Sequence, residues 1–288
     1  MASTAAEGFR IFIDSLIPTV TDRDKAATHR SSIEAKLEDT YGIYRMFQSG
    51  SFSNGTGVKG LSDVDYFVSL KSNQPQYSYS ILNSVKSTLQ ARFPFTTIRV
   101  SRPAVVLEFG GGYETVEIIP AYAKSSVNND MKFEIPGVNS EWLESTPEAH
   151  LRYVNECNKI PSKGSAKSFA RLVKAWKYYR TVPISSFYLE MKAAAYIAEQ
   201  SSVIYAYDLY YFLKRLQVSG LAAMNDPTGS TGRIQACSSE ATKQDALSKL
   251  NTAVSRAYNA LDAHKANNDS SAFYYWDQLF NGKFPAYY

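Results

Sequence analysis

The pattern of apolar and polar positions keeps one rhythm in the first half of this chain and another in the second. Up to Pro136 the apolar residues come in short, strand-length runs: Ile43–Gln48, Val64–Leu70, 97–101, 104–109 and 114–119. The last two are joined by Gly110-Gly-Gly112, a hairpin turn signal. Helical spacing interrupts the runs twice. Tyr77–Phe93 repeats Ile81, Val85 and Leu89, and Thr21-Asp-Arg-Asp24 has the form of a capping box opening a helix with Ala27, Ile33 and Leu37 among its apolar positions. After Pro136 the chain reads as almost entirely helical, with helices predicted at 145–158, 165–179, 185–200, 203–217, 239–266 and 270–280. Asn225–Gly232, with one Pro and two Gly, reads as a loop between them. The expected fold class is therefore α+β: an α/β core with a mixed sheet over 1–136 and a helical lobe over 137–288. The N-terminal helix is able to pack on the other lobe, and a ligand cleft is expected between the two.

Composition changes this picture little. The 288 residues are 44% hydrophobic and 20% charged, ordinary values for a globular protein. The 21 tyrosines are many, but tyrosine fills half-buried surface more often than it stacks on a base. A net charge of +4 suits small anionic substrates and is too small for a protein that wraps long DNA or RNA. Two cysteines, Cys157 and Cys237, exclude a disulfide framework and a cysteine zinc site, and His29, His150 and His264 are too scattered for a histidine metal site. The opening MASTAAEGFRIFIDSL lacks the basic and apolar regions of a signal peptide, and no run approaches the roughly 20 apolar residues that span a bilayer. The expectation is a cytoplasmic, soluble monomer without a membrane partner.

Chemistry concentrates in Gly50-Ser-Phe-Ser-Asn-Gly-Thr-Gly-Val-Lys-Gly-Leu-Ser-Asp63-Val-Asp65. Gly50 and Ser51 leave a strand into a glycine-rich turn, where backbone N–H groups and a hydroxyl can approach a phosphate. Asp63 and Asp65 stand two apart at the start of a strand, so alternation turns both to one face. Paired carboxylates of that kind can share two divalent cations about 3.5–4 Å apart, which clamp the attacking and leaving oxygens of a phosphoryl displacement. Alone, the pair reads equally as a solvated strand end. Glu117 lies in Val116-Glu-Ile-Ile-Pro-Ala121, where a carboxylate either faces solvent at an edge or has a charged partner such as a metal. Glu108 and Glu114 are its rivals on the same hairpin, with Glu114 placed beside the turn.

Together these residues resemble the DNA polymerase β-like nucleotidyltransferase signature of Gly-Ser, Asp-x-Asp on a strand and a later carboxylate. Further runs narrow the resemblance. Pro147-Glu-Ala-His150, Tyr153-Val-Asn155, Lys167-Ser-Phe-Ala-Arg-Leu-Val-Lys174-Ala-Trp-Lys177, Pro183-Ile-Ser-Ser-Phe187-Tyr-Leu-Glu190 and Ala272-Phe-Tyr-Tyr-Trp-Asp-Gln-Leu-Phe280 are similar to the bacterial cGAS/DncV-like enzymes, the oligonucleotide cyclases of anti-phage signalling. The similarity runs from about Gln48 to the end of the chain. It departs at one position: the third carboxylate, commonly Asp in that group, is Glu117 here, whose longer arm can still ligate Mg²⁺.

The resemblance implies a cyclic dinucleotide synthase. It implies two Mg²⁺ ions, with Mn²⁺ an alternative, held by Asp63, Asp65 and Glu117, and it implies Gly50 and Ser51 on the β- and γ-phosphates. Nucleoside triphosphates (ATP, GTP or UTP) are the implied substrates, and a separate effector protein is the implied target of the product.

The helix predicted at 165–179 adds cations. Phe169, Leu172, Val173 and Trp176 share one face, and Lys167, Arg171 and Lys174 the opposite one. That cationic face reads either as a solvated surface or as a triphosphate site, and the resemblance places Lys174 near the donor triphosphate. On either reading Lys174 points away from the core, so its truncation is expected to spare the fold. The resemblance also places Phe187 as an aromatic that stacks on a base, while the residues alone fit a core aromatic equally. Ser186 and Asn155 are candidate readers of base edges. Two rival functions stand beside the cyclase: a nucleotidyltransferase modifying RNA, protein or a small molecule, and a catalytically degenerate nucleotide-binding module.

Overall fold

A computed structural model describes residues 2–112, 114–127, 130–138, 140–159, 164–230 and 232–288, the side chains of 20–28 excepted. Its elements run α1 (Ala5–Ser15), α2 (Val20–Tyr41), β1 (Ile43–Ser49), α3 (Gly50–Asn54), β2 (Val64–Leu70), α4 (Ser78–Arg92), β3 (Thr97–Ser101), β4 (Ala104–Phe109), β5 (Glu114–Val127), β6 (Asp130–Pro136) and β7 (Trp142–Ser145). There follow α5 (Pro147–Lys159), α6 (Ser165–Tyr179), α7 (Ser186–Ala198), α8 (Tyr205–Val218), the short pair β8 (Met224–Asn225) and β9 (Arg233–Ile234), α9 (Glu240–Lys265) and α10 (Asp269–Leu279). The α+β class read from the sequence is the class observed. Among the described residues no helix is long and apolar enough to cross a membrane.

The chain divides into two compact units. One is Pro18–Tyr153 with Thr228–Gly232, and the other is Met1–Ile17 with Val154–Pro227 and Arg233–Tyr288. This differs from a boundary at residue 136. The reason is β7, which pairs with β6 and so keeps the chain beyond Pro136 in the α/β unit as far as Tyr153. The stretch after Pro136 is thus less purely helical than its periodicity suggests.

In the α/β unit the sheet order is β1-β2-β5-β4-β3, and the far half of β5 pairs with β6, which pairs with β7. Among the described residues of this sheet, β2 and β5 run parallel and the other pairings are antiparallel. Alternation sorts the side chains onto two faces. Val64, Tyr66, Val68, Val116 and Ile118 point to one, where they pack with Ile33 and Leu37 of α2 and Ile81, Leu82, Val85 and Leu89 of α4. The other face carries a smaller cluster of Phe67, Ala104, Ile119, Ala121, Phe133 and Ile135, with Phe47 against it. Strand β5 extends eight residues beyond the end expected at 119, because pairing with β6 holds its polar half, where the apolar pattern has already stopped. The capping box read at Thr21–Asp24, and Ala27 with it, lies outside the described side chains.

The helical unit is held by aromatic packing. Helix α1 is capped by Thr4, whose side chain accepts from the Glu7 N–H, while the Ser3 N–H donates to Glu7 Oε2. Its residues Phe9, Phe12, Ile13 and Leu16 follow helical spacing and are buried. The Phe9 ring meets Trp276 at 5.0 Å and Phe12 meets Phe280 at 4.5 Å. In α6–α8, Phe169 packs between Tyr196 and Phe212.

Phe12 is almost fully buried, with its ring against Tyr179, Phe280 and Phe284, so the docking of α1 in its unit depends on this side chain. Phe12→Ala is expected to cost about 3–5 kcal/mol, as large-to-small changes at buried aromatics do. Urea unfolding measures it, and a cost below about 1 kcal/mol, typical of a surface site, would show that α1 is not a fixed part of its unit.

Candidate functional site

The turn that leaves β1 is closed by its own hydrogen bonds. Gly50 has φ +61°, in the left-handed region, and a Cβ placed there would fall on Asp65 Oδ2. Glycine is needed twice over, for the backbone and for the carboxylate that leans against it. Helix α3 ends at Gly55, φ +68°, and the Thr56 N–H donates to the Ser51 carbonyl at 2.9 Å. The Val58 N–H then donates to Ser62 Oγ at 2.9 Å, and the Ser62 N–H returns to the Val58 carbonyl at 3.0 Å. These bonds bring the chain into β2 with Asp63 immediately before it.

The register of the sheet sets what lies beside the aspartates. In the parallel pairing of β2 with β5, Asp65 stands opposite Glu117. In the antiparallel pairing of β1 with β2, Ser49 stands opposite Asp65. Register partners point to the same face, and adjacent strands lie about 4.8 Å apart. Ser49, Asp65 and Glu117 therefore form one row across three strands, on the face of Phe67 and Ile119, with Asp63 in phase two residues earlier. The three carboxylates are half-buried. Ser49 is a residue that sequence reading passes over, because its place in the row depends on a strand pairing that local pattern does not show.

The same register separates Glu117 from its rivals. Glu114 stands opposite Phe109 and, three residues from Glu117, faces the helix side, where it lies 3.8 Å from His29. Glu108 shares the face of Glu117 but forms an ion pair with Arg99 at 2.9 Å. Hard carboxylate oxygens on adjacent strands fit Mg²⁺ by donor chemistry. Among the described residues no three carboxylate, imidazole or thiolate groups already close on one point. The donors share a face and a row without forming a finished cage.

The cationic residues lie in the helical unit, and here one expectation fails. Lys174 is 0% exposed and Arg171 is 7% exposed. The face of α6 opposite Phe169 and Trp176 is not a solvated surface: Lys174 Nζ pairs with Glu190 Oε2 of α7 at 3.0 Å, and Glu190 is 3% exposed. Truncating Lys174 is therefore expected to cost stability, since it strips a buried carboxylate of its counter-charge. Burial lowers the pKa of half-buried Lys167 below its ordinary value; attraction to Glu190 opposes the shift and repulsion from Arg171 adds to it. The Lys167 N–H donates to Asn158 Oδ1 at 3.0 Å. Ser186, at the start of α7, accepts from Lys177 Nζ at 2.5 Å. Phe187 beside it is 39% exposed, so it is not a core aromatic. Asn155 is half-buried on α5. Glu190 and Lys177 are the residues here that periodicity did not single out. A carboxylate within Leu189-Glu190-Met191 on an apolar helix was the available signal for the first.

Comparison with known proteins places these features in company. A sequence model of the Second Messenger Oligonucleotide or Dinucleotide Synthetase domain matches residues 3–158. The cyclic AMP-AMP-AMP synthase of Escherichia coli (strain MS 115-1) is 26% identical over 163 residues, which are 54% of this chain and 49% of that protein. The chain thus spans about half the length of this curated relative. Among solved structures, E. coli MS115-1 CdnC with ATP superposes with a TM-score of 0.76 at 19% identity, covering 98% of this chain and 99% of that one. Vibrio cholerae DncV cyclic AMP-GMP synthase, a prokaryotic cGAS homolog, gives 0.73 at 12% identity, covering 94% and 93%. At these identities the likeness is one of fold.

The buried pair yields a test of its own. Breaking such a pair from one side typically costs about 3–5 kcal/mol. Lys174→Ala is accordingly expected to lower the unfolding midpoint markedly, and Lys174→Met with Glu190→Leu to recover much of the loss. A Lys174→Ala protein that melts with the parent would return this lysine to the surface.

Proposed function

The chain belongs to the Second Messenger Oligonucleotide or Dinucleotide Synthetase family, of the cGAS/DncV-like nucleotidyltransferases, and on that premise we propose that it joins nucleoside triphosphates into a cyclic oligonucleotide, releasing pyrophosphate. The observation that carries this reading is the row in which Asp65 faces Glu117 across two parallel strands, with Asp63 in phase and the Asp65 carboxylate resting on Gly50. Three carboxylates on one sheet face beside a closed Gly-Ser turn suit phosphoryl transfer, and a degenerate binding module has no need of all three.

In this mechanism Asp63, Asp65 and Glu117 hold divalent metal, two Mg²⁺ ions by resemblance. When bound, the metal neutralises phosphate charge and favours the ionised form of the attacking hydroxyl. Asp65 and Glu117 orient that ribose hydroxyl and draw off its proton. Its oxygen bonds to the α-phosphorus as the bond to the β-phosphate oxygen breaks, and pyrophosphate leaves. The N–H groups after Gly50 and the Ser51 hydroxyl hold the β- and γ-phosphates. On α6, half-buried Lys167 supplies positive charge to the triphosphate, while buried Arg171 and Lys174, the latter paired with Glu190, hold the helix that carries it. Phe187, exposed on α7, offers a face to a base, and Ser186 and Asn155 offer hydrogen bonds to its edge. A second turn of the same chemistry on the tethered product closes the ring.

The dinucleotide expected by resemblance is one member of this product class, and the curated relative is named for a trinucleotide. The product is proposed to act on a separate effector protein in anti-phage signalling.

Incubation with Mg²⁺ and all four nucleoside triphosphates, followed by mass spectrometry, is expected to give a cyclic oligonucleotide and to read its ring size and bases. Label transferred to RNA, protein or a small molecule instead would replace this reading with its rival. Asp63→Asn combined with Asp65→Asn is expected to abolish product while leaving the melting curve close to the parent's, because both changes keep volume and remove charge. Residual turnover within about tenfold, about 1.4 kcal/mol of barrier, would overturn the metal assignment.

The two hairpin glutamates give a sharper comparison. Glu117→Gln is expected to cost orders of magnitude in rate. Glu114→Gln, on the opposite face beside His29, should leave turnover within about threefold, under about 0.7 kcal/mol of barrier. The reverse ranking in steady-state assays would place the third ligand on the wrong residue.

A further inference from the structure

Ser49 is 5% exposed, and its hydroxyl oxygen has no hydrogen-bond partner among the described residues. A buried hydroxyl with nothing to bond is costly, and each such group in a native protein calls for an explanation. Its position supplies one. Ser49 is the register partner of Asp65 in the antiparallel pairing of β1 with β2, on the same face, and directly opposed residues have Cα atoms about 4.5–5.5 Å apart. The Asp65 carboxylate leans over Gly50, the residue that follows Ser49. A carboxylate has room for about four acceptor contacts, and a metal ion occupies only part of them. The serine hydroxyl is a rotor that can turn its hydrogen to an oxygen beside it.

We propose that Ser49 is a positioning residue for the metal site: its hydroxyl donates to the Asp65 carboxylate and fixes the orientation in which Asp65 takes a divalent cation. This rests on the metal assignment proposed for Asp65. With its hydroxyl turned to Asp65, Ser49 would hold the carboxylate from the β1 side and leave its remaining acceptor positions to a divalent cation. Partners of this kind commonly contribute 10–100-fold to metal affinity. The arrangement also sets two effects against each other. Removing the hydroxyl relieves the metal-free protein of an unsatisfied group while depriving the bound ion's ligand of its support.

The test is Mn²⁺ binding to the full chain without nucleotide, followed by the electron paramagnetic resonance of free Mn²⁺, together with melting of the metal-free protein. Ser49→Ala is expected to weaken Mn²⁺ binding roughly tenfold and to melt at the parent's temperature or about 2 °C above it. Ser49→Thr, which keeps the donor on a β-branched side chain suited to a strand, is expected to restore the affinity. Parental Mn²⁺ affinity in Ser49→Ala overturns the inference, including the case where only the KM for triphosphate rises, which would assign the hydroxyl to phosphate. A melting point that falls along with the affinity overturns it too, since Ser49 would then be an ordinary structural residue. Asp65→Asn is the control that separates the two layers: if it binds Mn²⁺ as the parent does, the metal assignment itself fails, whatever Ser49 does.

Discussion

The parallel pairing of β2 with β5 is the constraint on which the site depends. Asp65 faces Glu117 only in this register. A slip of one residue would set Asp65 against Val116 or Ile118, whose side chains belong to the helix-covered face. Since alternation has a period of two, the slip would also turn a whole set of apolar residues out of one core and into the other. Both faces guard against it. Val64, Tyr66 and Val68 are locked under α2 and α4, while Phe67 and Ile119 sit in the cluster with Phe133 on the opposite side. The carboxylates are positioned by hydrophobic packing one residue before and two residues after them.

That division explains what was legible in the sequence. The spacing of Asp63 and Asp65 gives a shared face, because it needs only strand alternation. That Glu117 and not Glu114 shares a row with Asp65 is a matter of strand pairing, which spacing along the chain does not show. Ser49 was silent for the same reason: nothing in Phe47-Gln-Ser-Gly50 marks the serine until β2 is laid beside β1. The long second half of β5 was lost because Lys124, Ser125 and Ser126 break the apolar pattern and only pairing with β6 keeps them extended. Helix α1 carries its own signals in the sequence: Thr4 and Glu7 form its cap, and Phe9, Phe12, Ile13 and Leu16 its apolar stripe.

Lys174 shows the opposite failure, in which a strong local pattern misleads. Amphipathic spacing separates an apolar face of α6 from a cationic one, and such a face is normally solvent-exposed. Here α7 lies against it and supplies Glu190, so the charge is buried and answered. Periodicity reports which residues share a face; it carries no information on what that face meets. The surrounding sequence held a compensating sign in Glu190, a lone acid within an apolar helix, and a buried charge is tolerated where such a partner exists.

Functional sites are where local consistency is expected to break, with the cost offset elsewhere in the fold. This chain breaks it at neighbouring positions of one turn. Gly50 gives up a side chain so that the Asp65 carboxylate can lie against the backbone, and Ser49 keeps a hydroxyl in a dry position without a partner among the described residues. Neither choice favours stability: the hydroxyl at 49 leaves a buried polar group to satisfy, and position 50 is confined to glycine by its left-handed backbone as well as by the carboxylate at 65. Two unfavourable choices that converge on one side chain are hard to attribute to chance packing. They have a common cause if Asp65 is held for something other than the fold, and its register partner Glu117 supplies the second half of that purpose.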